Sequence, residues 1–168
     1  GVEHELQLLD DKFFTSPELA LSSSDEAIAT MARLACAGAD SAMDTLGAYD
    51  RAVIETVQEN EQSIDMLADA VNNYLVRLSG HMEADDNSVL LNYYLQCFSE
   101  FERIGDYAVN LTESAEELHA RGAQFSTTAR QELAGLQDAL HEIMGYAADA
   151  FPTRQARVAR HIEPVEEV

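Results

Sequence analysis

The sequence predicts an all-α protein, an antiparallel up-down helical bundle, on three observations. Apolar residues recur at steps of three and four through four long stretches, which is the period of one face of an α-helix. The breaks between those stretches carry glycines and short polar side chains, the chemistry of turns. No run alternates apolar and polar residues as a strand does, and no hairpin dipeptide or Gly-rich phosphate loop is present. The chain has 168 residues, 46% of them apolar, with 3 prolines and no tryptophan, so one folded domain is expected.

Residues 1–22 show no sustained period and are expected to form an irregular lead-in. A first helix then starts at Ser23, which with Glu26 has capping-box spacing. Its stripe of Ile28, Met31, Ala32, Ala35, Ala39, Ala42 and Leu46 is rich in alanine, so neighbouring helices can approach closely. Gly47 interrupts it, and Asp50 is suited to N-cap a second helix reaching about Met82, with Val57, Ile64, Leu67, Val71 and Leu75 on one face. Gly80 to Asn87 reads as a turn. A third helix follows from about Ser88 to Arg121, its stripe of Leu90, Tyr94, Cys97, Phe101, Ile104, Ala108 and Leu111 close to the coiled-coil period. Gly122 ends it. Thr128 and Gln131 repeat the capping-box spacing before a fourth helix carrying Leu133, Leu136, Leu140, Ile143 and Met144. Beyond Pro152 the composition stays helical to Val168 without a stop signal. Short connections make successive helices antiparallel neighbours.

Acidic residues outnumber basic ones 31 to 10, for a formal net charge of -21. Such a surface repels phosphate backbones and anionic headgroups and concentrates cations, which excludes nucleic acid as the expected partner. Cys36 and Cys97 sit at apolar helical positions without CxxC neighbours and read as buried thiols. No apolar run approaches the roughly 18 residues of a membrane span, and no leader opens the sequence. Glu116 with His119 and Asp138 with His141 have the spacing of di-iron bundle ligands, but no inward Glu from two other helices completes such a set. Asn110-Leu111-Thr112 matches a glycosylation sequon by coincidence, and Arg154, Arg157 and Arg160 read as a solvated basic face.

The informative acids lie on the second and third helices. Glu102, Asp106 and Asn110 fall at four-residue steps, as do Glu61 and Asp65. At about 100° per residue both acidic pairs are offset from their apolar stripes in the same rotational sense, so two antiparallel helices packed stripe to stripe bring them to one face. The pairs are also equidistant from the turn between the helices, which sets them at one level. Four carboxylates converging there repel one another, and a cation relieves that repulsion, with Arg103 as a further source of charge. Oxygen donors without His or Cys suit magnesium, manganese, calcium or ferric iron better than a structural zinc. Spacing alone leaves a merely solvated acidic face as the alternative. Gly105, between the acids, allows another helix to come close.

ERIGDYAVN at 102–110, preceded by ENEQSID at 59–65, resembles the motifs of PhoU-like proteins, regulators of phosphate uptake. The resemblance implies a three-helix bundle whose acidic repeats bind metal, as iron or zinc clusters or as magnesium and manganese, with Glu61, Asp65, Glu102 and Asp106 as ligands and Asn110 as a weaker one. LDDKFFTSPELAL at 9–21 resembles the segment joining the membrane part of bacterial sodium/phosphate cotransporters to a cytoplasmic PhoU-like tail. That implies a non-enzymatic soluble domain on the cytoplasmic side of the inner membrane, tuning phosphate uptake through the transporter's membrane domain or a signalling partner. On this reading 1–22 is a linker, 23–168 the PhoU-like domain, 23–122 a first three-helix repeat and 126–168 the start of a second. Glu163, Glu166 and Glu167 fall where the second repeat's acidic motif would begin. The missing helices would leave apolar faces uncovered, which predicts self-association.

Overall fold

A computed structural model describes residues 1–82 and 86–150. The turn expected after Gly80 falls partly outside the described residues. The tail carrying Arg154, Arg157, Arg160 and the three late glutamates lies wholly outside them. The described chain forms α1 (Glu3–Leu8), a 3-10 turn (Asp11–Thr15), α2 (Pro17–Gly47), α3 (Arg51–Ser79), α4 (Asp86–Ala120) and α5 (Thr127–Ala150). No strand occurs among the described residues. The all-α bundle expected from periodicity is what forms.

Helix α2 is the central element, packed against α3, α4 and α5. It is covered on most sides, burying Leu21, Ile28, Met31, Ala35 and Ala39 and also the polar Ser24, Asp25, Thr30 and Thr45. Small residues set how near the helices come. A Cβ on Gly38 would stand 3.8 Å from that of Ala108, and Ala39, Ala42, Val57 and Ala108 close one end of the core. The larger cluster, from Phe14 and Leu21 through Leu67, Tyr74 and Phe98, fills the other.

The lead-in is not irregular, contrary to the expectation for residues 1–22. Helix α2 begins at Pro17, where proline's missing N–H and fixed φ suit a first helical turn. The Ser22–Ser24 run stays helical, because Ser23 and Ser24 donate their hydroxyls back to the Ala20 carbonyl (2.8 and 3.0 Å) instead of capping. The segment before it is strapped to α3. Tyr74 donates its hydroxyl to the Asp10 carbonyl at 2.8 Å. Arg77 holds both Asp11 oxygens at 2.7 Å, and buried Phe14 lies against the rings of Tyr74 and His81.

Other boundaries follow local chemistry. Asp50 N-caps α3, accepting from the amides of Ala52 and Val53. Gly122, at φ 64°, closes α4 in a Schellman motif: Ala123 N–H donates to Leu118 O and Gly122 N–H to His119 O. The cap of α5 is Ser126 and not Thr128, since Ser126 Oγ accepts from Ala129 N–H. Helix α5 leans on α2 and buries none of its described residues. Leu136, Ile143 and Tyr146 on it are half or more exposed.

Candidate metal centre

The acids of ENEQSID and ERIGDYAVN face each other across the α3–α4 seam. Ile64, Phe101 and Ala108 are buried and hold the helices together there, and Gly105 is buried between them. A Cβ on Gly105 would collide with Glu61 Oε2 and stand 3.1 Å from Ile64 Cδ1, so the space left by the missing side chain is filled by the Glu61 carboxylate. Mid-helix glycine costs about 1 kcal/mol relative to alanine. Here it lets a carboxylate of one helix lie against the backbone of the other.

Glu61, Asp65 and Asp106 each present an oxygen within 4.8 Å of the others. Glu61 is half-buried, and Asp65 and Asp106 are exposed. Glu61 Oε2 is itself buried and accepts no hydrogen bond. Burial, first, and the Asp106 and Asp65 carboxyls beside it push the Glu61 carboxyl up to about 8. Such a group keeps its proton near neutrality unless a positive charge replaces it. Glu102, half-buried one turn before Asp106, does not belong to the group of three. Its carboxyl is also raised, by burial and then by Asp65, Asp106 and Asp69. Asn110 lies exposed one turn beyond Asp106, outside the three-carboxylate group.

Asp69 is the residue that sequence reasoning passed over. It continues the four-residue steps from Glu61 through Asp65, and this spacing was the available signal. Arg103 does not serve the cluster; it pairs with Glu100 at 3.6 Å. No Lys, Arg or His among the described residues forms an ion pair with Glu61, Asp65 or Asp106.

Chemically, these three carboxyl groups form an oxygen-only donor set in which a cation would take the place of the Glu61 proton. The set fits a hard cation such as magnesium, manganese or ferric iron, and fits a thiolate- or imidazole-seeking ion poorly.

No curated protein and no solved structure is detectably similar to this chain. The family model for the PhoU domain matches residues 28–115, from the fourth turn of α2 through most of α4, with both acidic motifs inside the match. Helix α5 and the lead-in lie outside it. The match covers more than half of the sequence, and PhoU domains are phosphate-related regulatory helical bundles: this chain belongs to the PhoU domain family.

Proposed function

We propose that this chain is the metal-binding regulatory domain of a sodium/phosphate cotransporter, and that it tunes phosphate uptake without catalysing a reaction. The observation that carries the metal reading is the meeting of Glu61, Asp65 and Asp106 at the Gly105 seam, with Glu61 Oε2 buried and unsatisfied. These three side chains would hold the ion, with Glu102 and Asp69 adding negative charge alongside. The ion would supply charge neutralisation, tying α3 to α4 and fixing the shape of the face they share. The transporter context rests on the resemblance of residues 9–21, and it puts the domain at the cytoplasmic side of the inner membrane with the membrane domain or a signalling partner as its contact.

The test is calorimetric titration of magnesium, manganese, iron and zinc into the wild type and into Glu61→Gln with Asp106→Asn, with elemental analysis of both as purified. A hard cation bound by the wild type and lost in the double variant supports the reading. Equal binding, or none in either protein, leaves a structural bundle whose acids are only solvated. The transporter context is checked in the complete reading frame, where apolar membrane spans must precede the LDDKFFTSPELAL segment.

A further inference from the structure

Helix α5 carries two apolar stripes, and α2 takes only one of them. Leu140 reaches the cluster of Ala39, Ala42, Val57 and Ala108, half-buried Leu133 and Met144 share its face, and Gln137 and His141 beside them bind Asp40. The second stripe, Leu136, Ala139, Ile143, Tyr146 and Ala150, recurs at steps of three and four roughly a third of a turn away. It is open to solvent, with Leu136 61%, Ile143 50% and Tyr146 74% exposed. Along one flank of it run Asp138, Glu142 and Asp149, all exposed. The solvent side of a surface helix is ordinarily polar. An apolar stripe edged by acids is half of a helix–helix contact whose other half is apolar and edged by basic groups.

The sequence after Ala150, which lies outside the described residues, has that complementary pattern. At about 100° per residue Phe151, Val158 and Ile162 fall on one stripe, with Arg154, Arg157 and His161 along one flank of it. This basic flank is offset from its stripe in the same rotational sense as the acidic flank of α5 from its own. Antiparallel packing, stripe to stripe, therefore brings acids and bases to one side. The levels match as well: Tyr146 and Val158 stand equally far from Pro152, and Ile143 with Ile162, Glu142 with His161 and Asp149 with Arg154 do so to within one residue.

We propose that residues 151–163 fold back on α5 as an antiparallel helix, seated on the stripe from Ala139 to Ala150 with Arg154 and Arg157 on its acidic flank. Pro152 suits the first turn of such a helix and Pro164 its end. Residues 153–163 then run about 16 Å, enough to cover that stripe. Charge selects this occupant over a second copy of the chain, which would bring the same three acids to the contact. Residues 151–168 hold three of the ten basic residues in a sequence of net charge -21. So short a helix is marginal in isolation, so it forms on α5 and closes that face to other chains while it is seated.

The test is hydrogen exchange of the whole chain, followed by mass spectrometry at two protein concentrations. Amides of residues 153–163 are expected to exchange at least tenfold more slowly than in an unstructured chain, equally at both concentrations. Ile143→Asp places a charge against Val158 and Ile162 and should abolish this protection. Position 143 is half exposed, so the bundle survives, as unchanged exchange in α2, α3 and α4 verifies. Asp149→Lys should speed exchange in the tail, and adding Arg154→Glu should restore it. Absent protection in the wild type overturns the proposal, as does protection untouched by Ile143→Asp or a charge exchange that restores nothing. Protection that grows with protein concentration gives the face to a second copy and overturns it too. No acid of the α3–α4 seam takes part, so this measurement and the metal titration fail independently.

Discussion

Replacing Gly105 with alanine separates two roles that one glycine can have. If it only allows the helices to pack, the new methyl group destabilises the fold. If it makes room for a ligand carboxylate, the methyl displaces that carboxylate and spares the fold. The neighbours favour the second outcome, because the nearest atom to the added Cβ is Glu61 Oε2, the far end of a flexible side chain. The next is Ile64 Cδ1 at 3.1 Å, which must give by a few tenths of an ångström. Alanine gains about 1 kcal/mol of helix propensity over glycine mid-helix, against about 1–2 kcal/mol for moving Ile64. The net change in stability is therefore within about 1 kcal/mol of zero. Expelling one of three carboxylates from the site costs more in binding, at least tenfold in affinity or about 1.4 kcal/mol. Urea unfolding of the metal-free protein measures the first quantity and manganese titration the second. A loss of stability above about 3 kcal/mol with metal affinity intact refutes the assignment of Gly105 to the site.

In the metal-free protein burial and the neighbouring acids push the Glu61 carboxyl up to about 8 from its ordinary 4.5, so between those values the folded chain holds a proton that the unfolded chain has released. Its stabilising contribution is complete below pH 4.5 and is lost as pH rises through 8. The shift sets a ceiling of roughly 5 kcal/mol, and solvent reaching a half-buried carboxyl reduces this to about 2 kcal/mol. The difference in urea midpoint between wild type and Glu61→Gln should grow across that range in favour of the variant; a constant difference contradicts the assignment. Tyr74→Phe removes the hydroxyl that holds the Asp10 carbonyl and should cost about 1–2 kcal/mol. Faster proteolysis at residues 9–16 is the expected sign, and uniform weakening of the whole bundle is the contrary one.

The fold was legible wherever one physical signal acted alone. Asp50 before an apolar-periodic run and Gly122 after one mark helix ends because a carboxylate at the N-cap and a positive-φ residue at the C-terminus have few substitutes. The start of α2 was harder, because two signals competed. Ser23 and Glu26 have capping spacing, but Pro17 sits at a better first-turn position, and Ser23 and Ser24 satisfy their hydroxyls on Ala20 within the helix. The lead-in had no periodicity to read, since its order comes from Tyr74 and Arg77, which are more than 60 residues away in sequence.

The candidate site divides along the same line. Spacing put Glu61, Asp65, Glu102 and Asp106 on one face, but spacing describes a helix's surface and not the depth of a seam. Which three oxygens meet depends on Gly105, since the helices close until the Glu61 carboxylate fills the position of its missing side chain. That contact draws Glu61 inward beside Asp65 and Asp106, while Glu102 stays outside the group of three and feels Asp65, Asp106 and Asp69 as neighbouring charges. The orphaned oxygen of Glu61 follows from the same contact, because the backbone it lies against is helical and its amides are already bonded along α4. A glycine between two acids is therefore more informative than the acids: it shows which carboxylate is forced to lose water, and hence which one most needs a cation to replace it.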